Sequence, residues 1–325
     1  MTEPALFPIA FNGREGYIDR LGRVVVEPQY QCAFDFSDGL AEVVVDGCSG
    51  YIDENGAMVI PPAFNEAHPF REGLAVVKTG DGWGAIDRTG AFAVQPVHTG
   101  MADFASEGLL ACEEDGRWGY LDVADRMVIR PEYDFANPFS EGLGLVLRDE
   151  RFGYVDRSGT PRISFQFLDA GPFSEGLAWA RSEHRYGYLS PVGTFVVEPR
   201  YDSAGDFSEG LAPVSLDGQA GFIDVSGNFV IPPRFVSIAG FSGGLAAIQI
   251  VPDNALGDLS RPLPVQKWGY IDKGGRIVIA PQFDRAEPFQ GGLAEVAVHI
   301  QGQGVNYFSS GWIDTAGRWV WRPTA

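Results

Sequence analysis

The chain has 325 residues, of which 45% are hydrophobic and 21% are charged, a composition typical of a globular protein. It contains 24 Lys and Arg against 43 Asp and Glu, so its formal net charge is −19. Such acidity argues against binding to nucleic acid or to anionic lipid, because both require a basic protein surface.

The N-terminal residues MTEPALFPIAFNGREG have an early Glu and no basic segment before an apolar run, so we expect no secretory signal. No run of about 18 apolar residues predicts a membrane span. The three cysteines, Cys32, Cys48 and Cys112, favour free thiols in a reducing cytosol, although a Cys32–Cys48 bridge stays open. We therefore expect a cytoplasmic protein.

A short motif, aromatic-Gly-aromatic-aliphatic-Asp, recurs along the whole chain. Its glycine falls at Gly16, Gly50, Gly84, Gly119, Gly153, Gly187, Gly221, Gly269 and Gly311. The spacing is 34 or 35 residues except before the last two glycines, where it is longer. The excess predicts insertions near residues 251–264 and 299–306. The sequence therefore predicts a single array, residues 1–325, of about nine units.

Each unit contains three short stretches rich in Val, Ile and aromatic residues, which predict β-strands. In the unit that begins at Trp268, strand a is Trp268–Asp272, strand b is Arg276–Ala280 and strand c is Leu293–Val298. We expect strand b to end at Pro281, which has no N–H for a ladder. An Asp-x-x-Gly turn joins strand a to strand b, because Asp accepts from the backbone and Gly supplies a positive φ.

Between strands b and c, a segment such as Tyr201–Phe207 carries a small residue that indicates close packing and is compatible with a single helical turn. A phenylalanine stands twenty residues after the motif glycine in every full unit, from Phe36 to Phe289, and an acid-Gly-Leu corner follows it. One unit cannot enclose a core, whereas stacked units can.

The order of the elements predicts nine c–a–b meanders, from a first strand c at Leu6–Phe11 to a last strand b before Pro323. This count fits an all-β open twisted superhelical array, or solenoid, and it also fits a closed propeller-like ring. We favour the open array, because repeats are easily added to it and nine three-stranded blades would be unusual.

The motifs resemble the bacterial WG repeat, also called the KWG repeat. The resemblance rests on Trp83-Gly84, Trp118-Gly119 and the unit that begins at Trp268, and it covers residues 14–323. The tryptophan is replaced in the other units, by Glu15, Ser49, Phe152, Tyr186, Ala220 and Ser310. The resemblance implies a bacterial β-rich repeat protein. The family is not tied to one enzyme activity and offers no catalytic residues to transfer.

No catalytic, metal or cofactor site is predicted from the residues. The four histidines, His68, His98, His184 and His299, lie at unrelated repeat positions and match no zinc pattern. The recurring Asp of the a–b turn is explained as a turn former. The recurring corner acid could form a ladder down one face or bind Ca²⁺, and a solvated corner is the favoured interpretation.

The loops from strand c to strand a vary most between units, and such loops usually carry the specificity of a repeat array. Their acids are the candidate partner-binding residues: Glu113, Glu114, Asp115, Asp149, Glu150 and Glu183. The insertion Val251–Pro264 is another candidate contact.

Three functional hypotheses follow. The favoured one is a non-catalytic cytosolic scaffold whose acidic surface binds a basic protein, such as an immunity protein that holds a cationic toxin domain. The alternative is a carbohydrate or cell-envelope polymer binder that uses exposed Tyr and Trp, including Trp179, Trp319 and Trp321. A hydrolase with dispersed acids is the least favoured. The sequence predicts no oligomeric state.

Overall fold

The computed structural model describes residues 6–250, 266–301 and 306–322, and within them 35 β-strands form nine antiparallel sheets. The chain divides into two compact units. The first is Met1–Phe173 with Pro191–Gly193, and the second is Ser174–Ser190 with Thr194–Ala325. The insertion predicted at 251–264 lies outside the described residues. The one predicted at 299–306 falls on a long hairpin, of which residues 302–305 are not described.

The first unit contains blades 1 to 5, a blade being one sheet. Its strands are β1 (Leu6–Phe11), β2 (Arg14–Asp19), β3 (Val24–Tyr30), β4 (Cys32–Ala33), β5 (Leu40–Val45), β6 (Cys48–Asp53), β7 (Met58–Phe64), β8 (Glu66–Ala67), β9 (Leu74–Lys78), β10 (Trp83–Asp87), β11 (Phe92–His98), β12 (Gly100–Met101), β13 (Leu109–Glu114), β14 (Arg117–Asp122), β15 (Met127–Tyr133), β16 (Phe135–Ala136), β17 (Gly144–Arg148), β18 (Arg151–Val155), β19 (Pro161–Phe167) and β20 (Asp169–Ala170).

The second unit contains the long strands of blade 6 and all of blades 7 to 9. Its strands are β21 (Ala178–Ser182), β22 (Arg185–Leu189), β23 (Phe195–Tyr201), β24 (Ser203–Ala204), β25 (Ala212–Leu216), β26 (Gln219–Ile223), β27 (Phe229–Phe235), β28 (Ser237–Ile238), β29 (Leu245–Ile250), β30 (Lys267–Asp272), β31 (Ile277–Phe283), β32 (Arg285–Ala286), β33 (Leu293–Gln301), β34 (Asn306–Asp314) and β35 (Trp319–Trp321).

Eight of the nine sheets consist of a two-residue short strand followed by the predicted strands c, a and b, as in the order β4-β5-β6-β7, and the described part of the first sheet has strands c, a and b alone. The segment that is compatible with a helical turn in the sequence contains this short strand, in which Cys32 and Ala33 pair with Val44 and Val43. It therefore forms a strand rather than a helical turn. Because the short strand completes a four-stranded meander, the unit is a propeller blade. The fold is a nine-bladed β-propeller, the stated alternative, and the expected open superhelical array is wrong.

Strand b continues past its proline, so the prediction that it ends there is also wrong. In blade 4 Trp118 pairs with Tyr133 and Tyr120 pairs with Ile129, which leaves a bulge around Pro131. A proline is tolerated in a bulge because its missing N–H has no ladder partner there. The bulge presses strand b against Gly119, where a Cβ would lie 2.4 Å from the Ile129 carbonyl oxygen. The motif glycine is thus required by a close backbone approach.

The a–b turns form as predicted. In blade 2 one carboxylate oxygen of Asp53 accepts the N–H groups of Asn55 and Ala57, both at 2.9 Å, and Gly56 has a φ of +79°. Asp125 takes the place of the turn glycine in blade 4 with a φ of +61°. Local side-chain and backbone chemistry therefore fixes this turn.

A buried tyrosine of strand a packs against the phenylalanine before the corner of the next blade at most junctions between blades. The Tyr51 hydroxyl of blade 2 donates to the His68 carbonyl of blade 3 at 2.9 Å, and its ring meets Phe70 of blade 3 edge-on at 4.8 Å. The hydroxyl bond recurs at Tyr17–Phe34, Tyr120–Asn137, Tyr154–Gly171, Tyr188–Gly205 and Tyr270–Glu287. Edge-on pairs of this kind add to the free energy gained by burial.

The junction between blades 3 and 4 lacks both members of this aromatic pair. Ala85 takes the tyrosine position in blade 3, and one extra residue places Ala105 rather than Phe104 directly before the corner of blade 4. Phe104 instead lies beneath the Arg71 guanidinium, 4.1 Å from its ring centroid. Phe104 keeps its spacing of twenty residues from Gly84, but at this junction it does not take the place that the phenylalanine before the corner has elsewhere.

Neighbouring blades are joined at the corner. The Ser106 hydroxyl donates to the Phe139 carbonyl of the next blade at 2.7 Å, and the Glu107 carboxylate accepts the Gly142 N–H at 3.0 Å. The serine bond recurs at Ser140–Phe173, Ser174–Phe207, Ser208–Phe241 and Ser242–Phe289. The acid bond recurs at Asp38–Gly73, Glu72–Gly108, Glu175–Gly210 and Glu209–Gly244. The corner acids therefore form a ladder of bonds between blades, and several of them, including Glu72 and Glu175, are also exposed to solvent as the favoured interpretation expects.

Candidate functional site

Each blade has two edges, which its antiparallel topology separates. The turn edge contains the a–b turn and the corner, for example Asp122–Asp125 and Ser106–Leu109 in blade 4. The tip edge contains the c–a turn, which we call the tip, and the crossing from strand b to the next short strand. In blade 4 the tip is Asp115–Gly116. All six candidate acids lie at or next to tips.

Most tips are two-residue turns rather than projecting loops. Both residues have a positive φ, as a type I′ hairpin requires. The values are 50° and 72° at Asn12-Gly13, 50° and 80° at Asp46-Gly47, 49° and 76° at Asp115-Gly116, 51° and 62° at Asp149-Glu150, and 51° and 76° at Asp217-Gly218. Tight turns of this kind hold their side chains in a defined direction.

Five candidate acids lie on two adjacent blades of the first unit. Glu113 and Glu114 end β13, Asp115 follows them in the tip of blade 4, and Asp149 with Glu150 forms the tip of blade 5. Glu183 occupies the equivalent tip in the second unit, between β21 and β22, with a φ of 55°.

An aspartate after strand b orders the neighbouring tip. Asp134 forms an ion pair with Arg117 of blade 4, and it accepts the Asp149 N–H of blade 5 at 2.9 Å. The second unit repeats this arrangement with Asp202, which pairs with Arg185 and accepts the Gly218 N–H at 3.3 Å. The tips of blades 4 and 5 are therefore joined through one carboxylate.

The aspartate after strand b of blade 8 is Asp284, and its bonds change the pKa of its carboxyl group. Asp284 lies 2.6 Å from the Lys267 Nζ and accepts the His299 N–H at 2.7 Å. Burial acts to raise the pKa of Asp284, but the bonds from Lys267 and His299 outweigh it and lower that pKa below its usual range. The carboxylate is thus held in its charged form.

Glu114 is turned toward a buried histidine. Its carboxylate lies 3.5 Å from Nδ1 of His98, and Asp125 lies 3.7 Å from Nε2 of the same ring. Burial, followed by the charges of Glu114 and Asp125, raises the pKa of Cys112 to about 12. Within the described part of the chain, no three His, Cys, Asp or Glu side chains are grouped so as to hold a metal ion.

Four of the candidate acids differ in their ion pairing from several acids of the turn edge. The carboxylates of Asp115, Asp149, Glu150 and Glu183 form no ion pair with any described residue. Acids of the a–b turns instead pair with arginines, at Asp19–Arg23, Asp122–Arg126, Asp156–Arg162, Asp272–Arg276 and Asp314–Arg318. These four tip acids therefore carry negative charge that no described cation compensates.

The three tryptophans considered for carbohydrate binding are all half-buried. Trp179 donates from its indole nitrogen to Asp206 at 2.8 Å and packs on Tyr186, with ring centroids 5.8 Å apart. Trp319 meets Phe283 edge-on at 5.9 Å. Trp179 and Trp319 thus pack within the protein and present only part of their rings.

Two features were missed in the sequence. The first is the set of bonds that the corner Ser and acid form with the next blade. The recurrence of Ser-Glu-Gly-Leu in the sequence was the signal that could have indicated them. The other is a groove of about 410 Å³ in the second unit, beside Ala220. Its signal was a small residue at the motif position that holds Trp83, Trp118 or Trp268 in other units.

The profile of the WG containing repeat matches eight segments of the chain: residues 16–47, 50–83, 83–118, 118–151, 152–183, 186–219, 221–250 and 268–298. The chain belongs to the WG-containing repeat family. No curated protein sequence matches this WG repeat chain. Among the described residues, no helix has the length and apolar character needed to cross a membrane.

Solved structures with a similar fold have very different sequences. "Crystal structure of the eukaryotic initiation factor" superposes with a TM-score of 0.64 at 13% identity, over 97% of this chain and 94% of that chain. A variant of Kluyveromyces lactis Hsv2 has a TM-score of 0.41 at 10% identity, over 75% and 96%. PorZ of Porphyromonas gingivalis has a TM-score of 0.37 at 12% identity, over 88% and 44%. The first similarity concerns the fold alone.

Proposed function

We propose that this WG repeat protein is a non-catalytic scaffold of the bacterial cytosol that binds a basic protein through its tips. The observation that carries the proposal is the uncompensated charge of Asp115, Asp149, Glu150 and Glu183 at ordered tips. Acids on rigid turns attract a cationic partner at little entropic cost, because they lose little conformational freedom on binding.

The distribution of charge supports a local rather than a general attraction. Arg148 and Arg151 flank the blade 5 tip, and the Arg148 guanidinium lies over the Phe165 ring, 4.0 Å from its centroid. Positive and negative groups thus alternate along this part of the tip edge, which favours one complementary surface over nonspecific cation binding. A neutralising partner, such as an immunity-like protein that holds a cationic toxin domain, is the concrete form that we propose.

The test is affinity purification from the native host with mass spectrometry. The wild-type chain is one bait, and a second bait carries Asp115→Asn, Asp149→Asn, Glu150→Gln and Glu183→Gln. Glu114 is left unchanged because it faces His98. We expect a basic protein to be enriched on the wild-type bait at about 0.05 M salt and to be lost at about 0.5 M salt.

A third bait serves as the control. It carries Asp19→Asn, Asp122→Asn, Asp272→Asn and Asp314→Asn, so it removes the same amount of charge from the turn edge. We expect this bait to retain the partner. Equal loss on both neutralised baits would show a general charge effect, and enrichment of no protein over an empty resin would contradict the scaffold itself.

A further inference from the structure

The residue before the motif glycine is aromatic in blades 3, 4, 5, 6 and 8. Blade 7 lies among these blades in chain order and has no aromatic residue there. The aromatic residues are Trp83, Trp118, Phe152, Tyr186 and Trp268. Blade 7 has Ala220 at this position, followed by Gly221 of the motif. The strand itself is unchanged, since Ala220 pairs with Phe235 just as Trp118 pairs with Tyr133.

The aromatic side chains at this position share a set of contacts. Trp83 stacks on His68 at 5.5 Å. It also lies 5.2 Å from the Lys78 Nζ. Trp118 packs on Phe135, the first residue of the next short strand, at 6.1 Å. Each aromatic ring thus covers the tip-edge end of its blade and reaches a neighbouring short strand or strand c.

The equivalent partner positions in blade 7 carry small residues. Gly205 corresponds to His68, Ser215 to Lys78, and Ser237 to Phe135 by the repeat alignment. All three line the groove of about 410 Å³ beside Ala220. The groove is therefore the space that the repeat's own aromatic ring occupies in other blades, opened by small residues on every side.

The groove has both apolar walls and polar groups. Pro213, Val236 and Ile238 form part of its lining. The Ser203 and Ser215 hydroxyls lie 2.6 Å from each other at its wall. An indole ring needs this combination, because its faces are apolar and its N–H requires an acceptor when it is buried.

We propose that this groove binds an aromatic side chain, a tryptophan, presented by a partner protein. The inference rests on the proposed function and adds to it a specific anchor. Tryptophan is enriched among the residues that contribute most to binding at interfaces, where it fills well-packed pockets. The partner would supply in trans the ring that Trp83 and Trp118 supply within their own blades.

The test uses 5-fluoroindole as the probe, observed by ¹⁹F NMR with the full chain. We expect saturable binding with a Kd on the order of 1 mM, since the probe has few atoms. N-acetyl-tryptophanamide should displace it, and N-acetyl-alaninamide should not. Ala220→Trp restores the motif residue and fills the groove, so it should abolish binding while the urea midpoint stays at or above that of wild type.

Two further variants make the test specific. Ser215→Lys copies Lys78 of blade 3 and should also block the groove. Phe152→Trp changes the same motif position of blade 5 without touching the groove and should bind the probe as wild type does. Absence of saturable binding to wild type, or binding that survives Ala220→Trp, overturns the proposal. Both outcomes are independent of whether affinity purification identifies a basic partner.

Discussion

The two edges of the blades use the same residue types for different purposes. At the turn edge, the recurring acids of the a–b turns and corners are mostly hydrogen-bonded to backbone N–H groups or paired with arginine, as Asp122 is with Arg126 and Glu107 is with Gly142. At the tip edge, Asp149 and Glu150 carry negative charge without an ion pair to a described residue. Part of the net charge of −19 is therefore engaged in structural bonds, and the tip acids are among the acids that form no ion pair with a described residue.

The largest expected effect comes from the motif glycine. In Gly119→Ala the new Cβ would lie 2.4 Å from the Ile129 carbonyl oxygen and 2.7 Å from the Pro131 nitrogen. Because both atoms belong to the backbone, the strands must separate, and we expect the free energy of unfolding to fall by about 3 kcal/mol or more. Urea unfolding followed by tryptophan fluorescence measures this loss.

The control for that substitution is Gly116→Ala at the tip. Gly116 has a φ of +76°, and a Cβ there meets no atom within 4 Å. The cost should be about 1–2 kcal/mol, from the left-handed conformation alone. If the two alanine variants lost the same stability, close packing of strands a and b would not be the reason for the motif glycine.

The next effect concerns the corner. Ser106→Ala leaves the Phe139 carbonyl without its buried partner, and Glu107→Ala removes the acceptor of the Gly142 N–H. We expect each substitution to lower the free energy of unfolding by about 1–3 kcal/mol. Glu150→Ala is the matched control, since Glu150 also has a positive φ, 62° against 53° for Glu107, but accepts no bond between blades. A comparable loss in Glu150→Ala would contradict the role of the ladder.

The turn edge should also be the part of the molecule that is sensitive to acid. Bonds from the Ala57 N–H, and then from Asn55, lower the pKa of Asp53 against the opposing effect of desolvation. Asp19 and Asp272 have lowered pKa values mainly because they accept the N–H of Arg23 and Arg276. A carboxyl group with a depressed folded-state pKa stabilises the fold above its unfolded pKa and loses this contribution as the pH falls.

Thermal unfolding between about pH 5 and about pH 2 checks this expectation. We expect the melting temperature to fall steadily as the pH decreases below about 4. Asp53→Asn should reduce the slope, because one linked group is removed. A steeper or unchanged slope in Asp53→Asn would contradict the contribution of that turn.

Local chemistry explains which parts of the fold the sequence could predict. The Asp53 turn and the a, b and c strands follow from side-chain hydrogen bonding and β-propensity within a few residues. The short strand Cys32–Ala33 has only two residues and no periodicity, so its pairing with β5 depends on tertiary contacts. The sequence therefore predicts three strands per unit, and an open array is favoured because propeller blades of three strands would be unusual.

The site was predictable only in outline. The charge and variability of the tips indicated Asp149 and Glu150, whereas the bond from Asp134 to Asp149 joins two blades and has no local signature. Glu107 and Gly142 are likewise 35 residues apart, which is one residue more than a repeat. The groove beside Ala220 depends on small residues at three separate repeat positions, and a substitution in one motif does not reveal it.

The smallest expected change in stability is at the tips, and it separates the two edges most directly. Asp115→Asn with Asp149→Asn and Glu150→Gln keeps the size of each side chain, and Asn accepts the left-handed conformation as readily as Asp does. We expect the free energy of unfolding to change by about 0.5 kcal/mol or less, because none of these carboxylates has an ion-pair partner among the described residues. Urea midpoints at low and high salt measure this change. A large gain in stability at low salt would show that these acids repel one another within the chain. In that case a basic partner would relieve the repulsion between the tip acids. Its binding should then be strongest under the conditions in which this repulsion is largest.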